Sequence, residues 1–292
     1  MGDERTIDIS NYKSTYKGQP LYTVYGPKLL EEMTWEEVAD ALKETDIVLP
    51  LVGAVENHGP HSPLKSDCIQ AVEVAKRAAI KLAAEGIKVV VGPLIPFGDS
   101  AHHMGFPGTI TLRPQTAEDL LKDVLNSLIR HGFRKICVIS GHGGNPPFIY
   151  HVCQEIYDEH KIRIASPDWM RVLFEHWDPP VRKTDTPERE FHQGERGTSL
   201  TLAACPELVD MSKAVPSFAP EVERRRKKYG WWINVPYLMA YDTKAVAPLG
   251  HIGDATLATK QEGDYILDRC GEYIADFVRE EFVARKDKPR ST

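Results

Sequence analysis

Two carboxylates and an imidazole crowd one short stretch, VENHGPHSPLKSD at residues 55–67: Glu56, His58 and Asp67. In an extended chain, residues i and i+2 project to the same side, so Glu56 and His58 can reach one small volume. The Gly59-Pro60 and Ser62-Pro63 steps let the chain turn back and bring Asp67 toward it. Carboxylate oxygens beside an imidazole nitrogen suit Zn²⁺ or Mn²⁺. The same residues also read without chemistry, as a helix cap at Asp67 and two solvated loop residues. Spacing alone leaves both readings open.

Three further clusters carry histidines. In ISGHGGNPP (residues 139–147) His142 sits among Gly141, Gly143 and Gly144, where the backbone can approach a ligand closely. This stretch lacks the Lys-Ser/Thr of a phosphate loop, the dinucleotide glycine spacing and the serine of a nucleophile elbow. In FHQGERGTSL (residues 191–200) His192 and Glu195 are three apart. That pattern also reads as a helix start, with Glu195 at the positive end of the dipole and Thr198 or Ser199 as cap. In SAHHMGFPGT (residues 100–109) His102 and His103 could be ligands, substrate contacts or polar turn residues. His61 could face a site or solvent. His131, His151, His160 and His176 read as structural.

These clusters need elements to hold them. Thr34 followed by Glu37 predicts a capped helix start. DIVLPLVGAV, KVVVGPLIPFG, KICVIS and IRIAS read as buried strands. Helices are expected over residues 68–85, over RPQTAEDLLKDVLNSLIRHG with Thr116 as cap and Asp119 completing its box, and over PPFIYHVCQEIYDEH. Unalternated apolar strands separated by helices predict an α/β fold, with a mostly parallel sheet covered on both faces. Such sheets place sites outside the C-terminal ends of their strands, and the polar clusters at residues 55–67, 100–109 and 139–147 directly follow strands. Residues 178–190 read as a surface loop, residues 1–25 as an N-terminal arm and residues 284–292 as a flexible tail on one domain spanning 1–292.

The 292 residues, 42% of them hydrophobic, can bury a substantial core. A net charge of −6 argues against a nucleic-acid binder. No apolar run approaches the roughly 18 residues of a membrane span, and the polar start, MGDERTIDIS, is unlike a secretory signal. The five scattered cysteines, none at CxxC spacing, suggest reduced thiols in a cytoplasmic protein. The basic run at residues 224–228 reads as a solvated helix face or as a contact for an anionic group.

Taken in order, the motifs resemble the creatininase (creatinine amidohydrolase) family. E-x-H-G-P-H-x-P-x-x-x-D appears from Glu56 to Asp67, F-P-G-T from Phe106 to Thr109 and G-H-G-G-N from Gly141 to Asn145. H-x-G-E-x-E-T-S appears in altered form from His192 to Ser199, and G-D-x-T-x-A-T from Gly253 to Thr259. The resemblance implies a three-layer α/β/α sandwich, a homo-oligomer (a hexamer in the family) and two divalent metal ions per chain, Zn²⁺ and/or Mn²⁺. Carried over, Glu56 and His142 bind one metal, His58 binds the other and Asp67 bridges them. The family's glutamate two residues after the third-motif histidine is Gly144 here, so the resemblance points to Glu195 as the fifth ligand.

His192 is the implied proton shuttle, and His103 orients or binds the substrate. Metal-activated water would attack a carbonyl, most simply that of a small, cyclic amide. Opening of a keto-inositol by C–C cleavage is the alternative, and a binding protein without turnover is a second one, favoured by Gly197 where the family has glutamate. The family's tyrosine beside the metal-binding histidine is Gly143 here, which makes creatinine a poor fit.

Overall fold

The structure, a computed structural model, describes residues 26–229 and 242–285. The expected N-terminal arm, the Trp231 and Trp232 pair and the expected tail beyond Arg285 lie outside the described residues.

Helix α1 (Trp35–Ala41) starts as its sequence requires: Thr34 Oγ1 accepts from the Glu37 N–H while Glu37 accepts from the Thr34 N–H. Strand β1 (Ile47–Val52) follows and is buried along its whole length. It lies at the centre of a parallel sheet with β2 (Val90–Ile95), β3 (Lys135–Cys137), β4 (Ile139–Ser140) and β5 (Arg163–Ala165). The order is β2-β1-β3-β5, with β4 also pairing with β1. The KICVIS run is thus two short strands. At the break, the Val138 N–H donates to Ala165 O.

Alternate residues of β1 enter two cores. Leu49 and Leu51 pack with α2 (Ser66–Ala84), α6 (Glu195–Ala204) and α9 (Lys260–Phe277). Val48 and Val52 pack with α3 (Pro114–His131) and α4 (Pro146–His160) on the other face. Each fully buried Leu or Ile contributes about 1.5–3 kcal/mol. The unalternated apolar strands have this cause: both faces are covered, so the α/β/α layering follows.

Some boundaries differ from expectation. Helix α3 begins at Pro114 with Arg113 as its cap, so Thr116 lies inside the first turn. Proline at the first helical position costs no hydrogen bond there and presets φ. Helix α2 begins at Ser66, which makes Asp67 a first-turn residue and not a cap. Helix α6 begins at Glu195 behind Gly194, and Thr198 and Ser199 are interior. Residues 178–190 are more than a surface loop, because Thr184 and Glu190 are buried. Between these elements lie α5 (Trp169–Glu175), β6 (Pro216–Ser217) and α8 (Thr243–Val246), and the basic run falls in α7 (Pro220–Tyr229).

The C-terminal ends of three strands feed one region. β1 leads to Glu56 and His58, β2 to His102 and His103, and β4 to His142.

Candidate metal centre

Glu56, His58, Asp67, His103 and His142 are all buried, and they converge with His192 on the floor of a cavity of about 720 Å³. Two histidines are locked by backbone carbonyls, which can only accept hydrogen bonds. His58 Nδ1 donates to Glu56 O at 3.0 Å, leaving the Nε2 lone pair 2.9 Å from Asp67 Oδ1. His142 Nε2 donates to Asp99 O at 2.9 Å, leaving Nδ1 3.1 Å from Asp67 Oδ2 and 3.3 Å from Glu56 Oε1. Both Glu56 oxygens and Asp67 Oδ2 are buried without a hydrogen-bond donor.

Facing acceptors in a buried site need positive charge between them, supplied by a proton on the imidazole or by a metal cation. Burial opposes charge on His142, but Glu56 and Asp67 outweigh it and hold the imidazole well above its ordinary range. Burial would raise Glu56, yet His142, His103 and His192 hold its carboxyl well below the usual range. Both shifts show a site built around positive charge. Carboxylate oxygens with imidazoles oriented by backbone acceptors are the donor set and outer support of a Zn²⁺ or Mn²⁺ centre, so the residues fit such ions.

The candidate ligand atoms form two groups sharing Glu56: one with His58 and His192, the other with His102 and His142. His102 belongs with the site; its sequence leaves ligand, substrate contact and turn residue all open.

His103 has a different office. Asn57 Nδ2 donates to His103 Nδ1 at 2.7 Å, so the remaining proton is on Nε2, 3.4 Å from Glu56 Oε1. Burial and the neighbouring His192 push its pKa down to about 2. His192 Nε2 donates to Asn57 O at 2.9 Å, which leaves Nδ1 as the ring's proton acceptor. Burial and His58 push His192 down to about 4, so the ring is neutral at neutral pH. Asn57 thus organises two histidines, one through its side chain and one through its carbonyl.

Glu195 does not join this cluster. Its Oε1 accepts from the Lys183 N–H at 2.6 Å and its Oε2 from the Thr184 N–H at 2.7 Å, and it is absent from the cavity wall. The chain between His192 and Glu195 passes through Gln193 at φ 50° and Gly194. That break in the extended run sends the two side chains different ways. The expected fifth ligand is therefore a fastener for the 178–190 segment.

Sequence reasoning also missed Glu190. Its Oε2 accepts from the Glu195 N–H at 2.8 Å and its Oε1 from the Asp254 N–H at 2.5 Å. A Cβ at Gly194 or Gly253 would lie 2.0 Å or 2.3 Å from its carboxylate. The glycines of two motifs make room for this group, which clamps the His192 loop against β7 (Gly253–Asp254). A pair of glycines in separate motifs was the only trace of it in the sequence. Asn145 of the glycine-rich loop is likewise structural, its Nδ2 donating to Val52 O and Gly53 O.

The creatininase family model, described as creatinine amidohydrolase, matches residues 31–278. Creatinine amidohydrolase of Pseudomonas putida is 31% identical over 271 residues, covering 86% of this chain and 96% of that protein. The 3-dehydro-scyllo-inosose hydrolase of Thermotoga maritima is 26% identical over 278 residues, covering 89% and 86%. A crystal structure of creatinine amidohydrolase (creatininase) matches with a TM-score of 0.70 at 26% identity, over 87% of this chain and 97% of that one. Similar creatininase structures include a Zn-Zn type and an Mn form. The chain belongs to the creatininase family and is a metal-dependent hydrolase.

Proposed function

We propose that the chain is a dinuclear hydrolase that opens a small cyclic amide, with Asp67 shared between two divalent cations. The observation that carries this reading is the placement of Asp67. One of its oxygens faces the His58 lone pair and the other faces His142. Glu56, His58, His142 and Asp67 are the residues that would hold the cations. Bound divalent cations lower the pKa of water and polarise a carbonyl oxygen.

The chain's own residues supply the rest. His192, neutral and with Nδ1 open to a proton, accepts one from the attacking water and returns it to the leaving nitrogen. The carbonyl carbon gains the water oxygen and loses the ring nitrogen, so the ring opens to a carboxylate and an amine. His103 keeps its Nε2 proton on the Glu56 side and orients that carboxylate. The cavity is large enough for a molecule of small-ligand size. Gly143, Gly144 and Gly197 line the cavity without side chains of their own, which disfavours creatinine as the substrate.

A second reading is hydrolytic C–C opening of a polyhydroxylated cyclic 1,3-diketone. The polar wall of Gln70, Gln193, Arg196 and Thr243 favours it, as does the likeness to the inosose hydrolase. A panel of cyclic amides, formamides and cyclic diketones, assayed with Zn²⁺ or Mn²⁺ loaded, separates the two. Ring opening of a cyclic amide is expected; turnover confined to diketones would replace the first reading with the second.

A further inference from the structure

We infer that His102 is a ligand of the cation on the His142 side, making that half of the centre richer in nitrogen than the His58 half. This rests on the two-cation reading above. The donor atoms of Glu56, His102 and His142 all lie within 4.8 Å of one another. The His102 and His142 rings stack nearly parallel, with centroids 5.6 Å apart and 12° between planes. His102 also lines the cavity.

Among the described residues, the other candidate ligands on this side are closed. Glu195 accepts two backbone N–H groups with its two oxygens. Position 144, two residues beyond His142, has no room for a side chain: a Cβ there would lie 2.3 Å from Asp99 O and 2.6 Å from His142 Nε2. His103 adjoins His102 in the same 3-10 turn, Ala101–His103. It accepts from Asn57 on one nitrogen and carries its proton on the other, so it has no lone pair left for a metal.

The ligand sets therefore differ. The His142 side combines two imidazoles with Glu56 and the shared Asp67. The His58 side combines one imidazole with the carboxylates, while His192 is kept for proton transfer. Imidazole suits Zn²⁺, and carboxylate suits Mn²⁺. The position held by His102 selects Zn²⁺, and the other accepts Mn²⁺ more readily.

The test uses the full chain, stripped of metal by chelation and titrated with Zn²⁺ alone or Mn²⁺ alone, with bound metal counted by mass spectrometry. The unaltered chain is expected to take two Zn²⁺. His102→Ala is expected to keep one tightly and bind the second at least about 100-fold more weakly, at or beyond the upper end of what losing an outer partner of a metal ligand costs. His103→Ala is expected to keep both. His102→Asp, which replaces the imidazole with a short carboxylate, is expected to restore the second ion with its preference moved toward Mn²⁺. Thermal melting by circular dichroism identifies any variant that fails to fold, and the remaining His102 variant then decides. Two Zn²⁺ bound at unchanged affinity by His102→Ala would overturn the His102 assignment and leave the two-cation reading standing. A single Zn²⁺ in the unaltered chain would overturn the two-cation reading itself.

Discussion

His58 and His142 face opposite oxygens of one carboxylate: His58 Nε2 is 2.9 Å from Asp67 Oδ1, and His142 Nδ1 is 3.1 Å from Asp67 Oδ2. Each imidazole is turned to this position by a backbone carbonyl on its far nitrogen. Asp67→Asn exchanges one of these two oxygens for an NH₂ that can only donate. Turnover is expected to fall at least about 100-fold, with loss of bound metal. Metal analysis beside the kinetic assay checks this, and full metal content with full activity in the variant would refute the shared-ligand role.

His192→Ala separates proton transfer from metal binding. As a general acid–base its loss should cost about 10²–10⁴ in kcat, while metal content stays near that of the unaltered chain. His192 also stands within reach of Glu56 and His58 as a candidate ligand. Loss of an ion in His192→Ala would therefore reassign it from shuttle to ligand.

Glu195→Gln should weaken the protein without removing metal. The amide can accept from only one of the Lys183 and Thr184 N–H groups, leaving the other buried donor unsatisfied at about 1–3 kcal/mol. Chemical denaturation measures the loss. Reduced metal content at unchanged stability would return Glu195 to the ligand set.

Gly144→Ala puts a methyl where Asp99 O and His142 Nε2 already stand. Overpacking of this kind costs about 1–3 kcal/mol, and here the contact that gives is the one orienting His142. Lower melting temperature together with weaker metal binding is expected, read by calorimetry and metal titration. A neutral result would mean that the loop shifts freely at this point.

Stability should fall as pH rises from about 4.5 to about 7. Burial, with the charge of Glu195 nearby, pushes Glu262 up to about 7, although Trp177 Nε1 and Ser199 Oγ donate to it. Both folded and unfolded chains hold the proton below about 4.5. Between about 4.5 and 7 only the folded chain keeps it, so the contribution is full below 4.5 and is lost as pH rises through 7. Melting temperatures measured from pH 5 to 8 are expected to decline more steeply in the unaltered chain than in Glu262→Gln. Parallel slopes would show that Glu262 titrates as an ordinary carboxyl.

Much of this protein is determined locally and could be read from residue order. Apolar strands without alternation announce a sheet covered on both faces, because each face must exclude water. Thr34 and Glu37 cap a helix within a single turn. Glu56 and His58 share a side because an extended backbone alternates its side chains. The meeting of Asp67 with His142, 75 positions later, was legible only through the resemblance of motifs, since no local rule joins them.

The rest depended on tertiary contacts. Glu195 has the residue type and the motif of a ligand, but two backbone N–H groups from the 178–190 segment capture it first. His102 and His103 are indistinguishable by sequence. What separates them is Asn57, which occupies one ring and not the other. Glu190 has no motif of its own, and its place is set by the space two glycines leave when separate segments pack. Residue types and local periodicity decide which chemistry is available to a chain. Which carboxylate stays open to a cation, and which is spent on the backbone, is decided only when distant donors are packed against it.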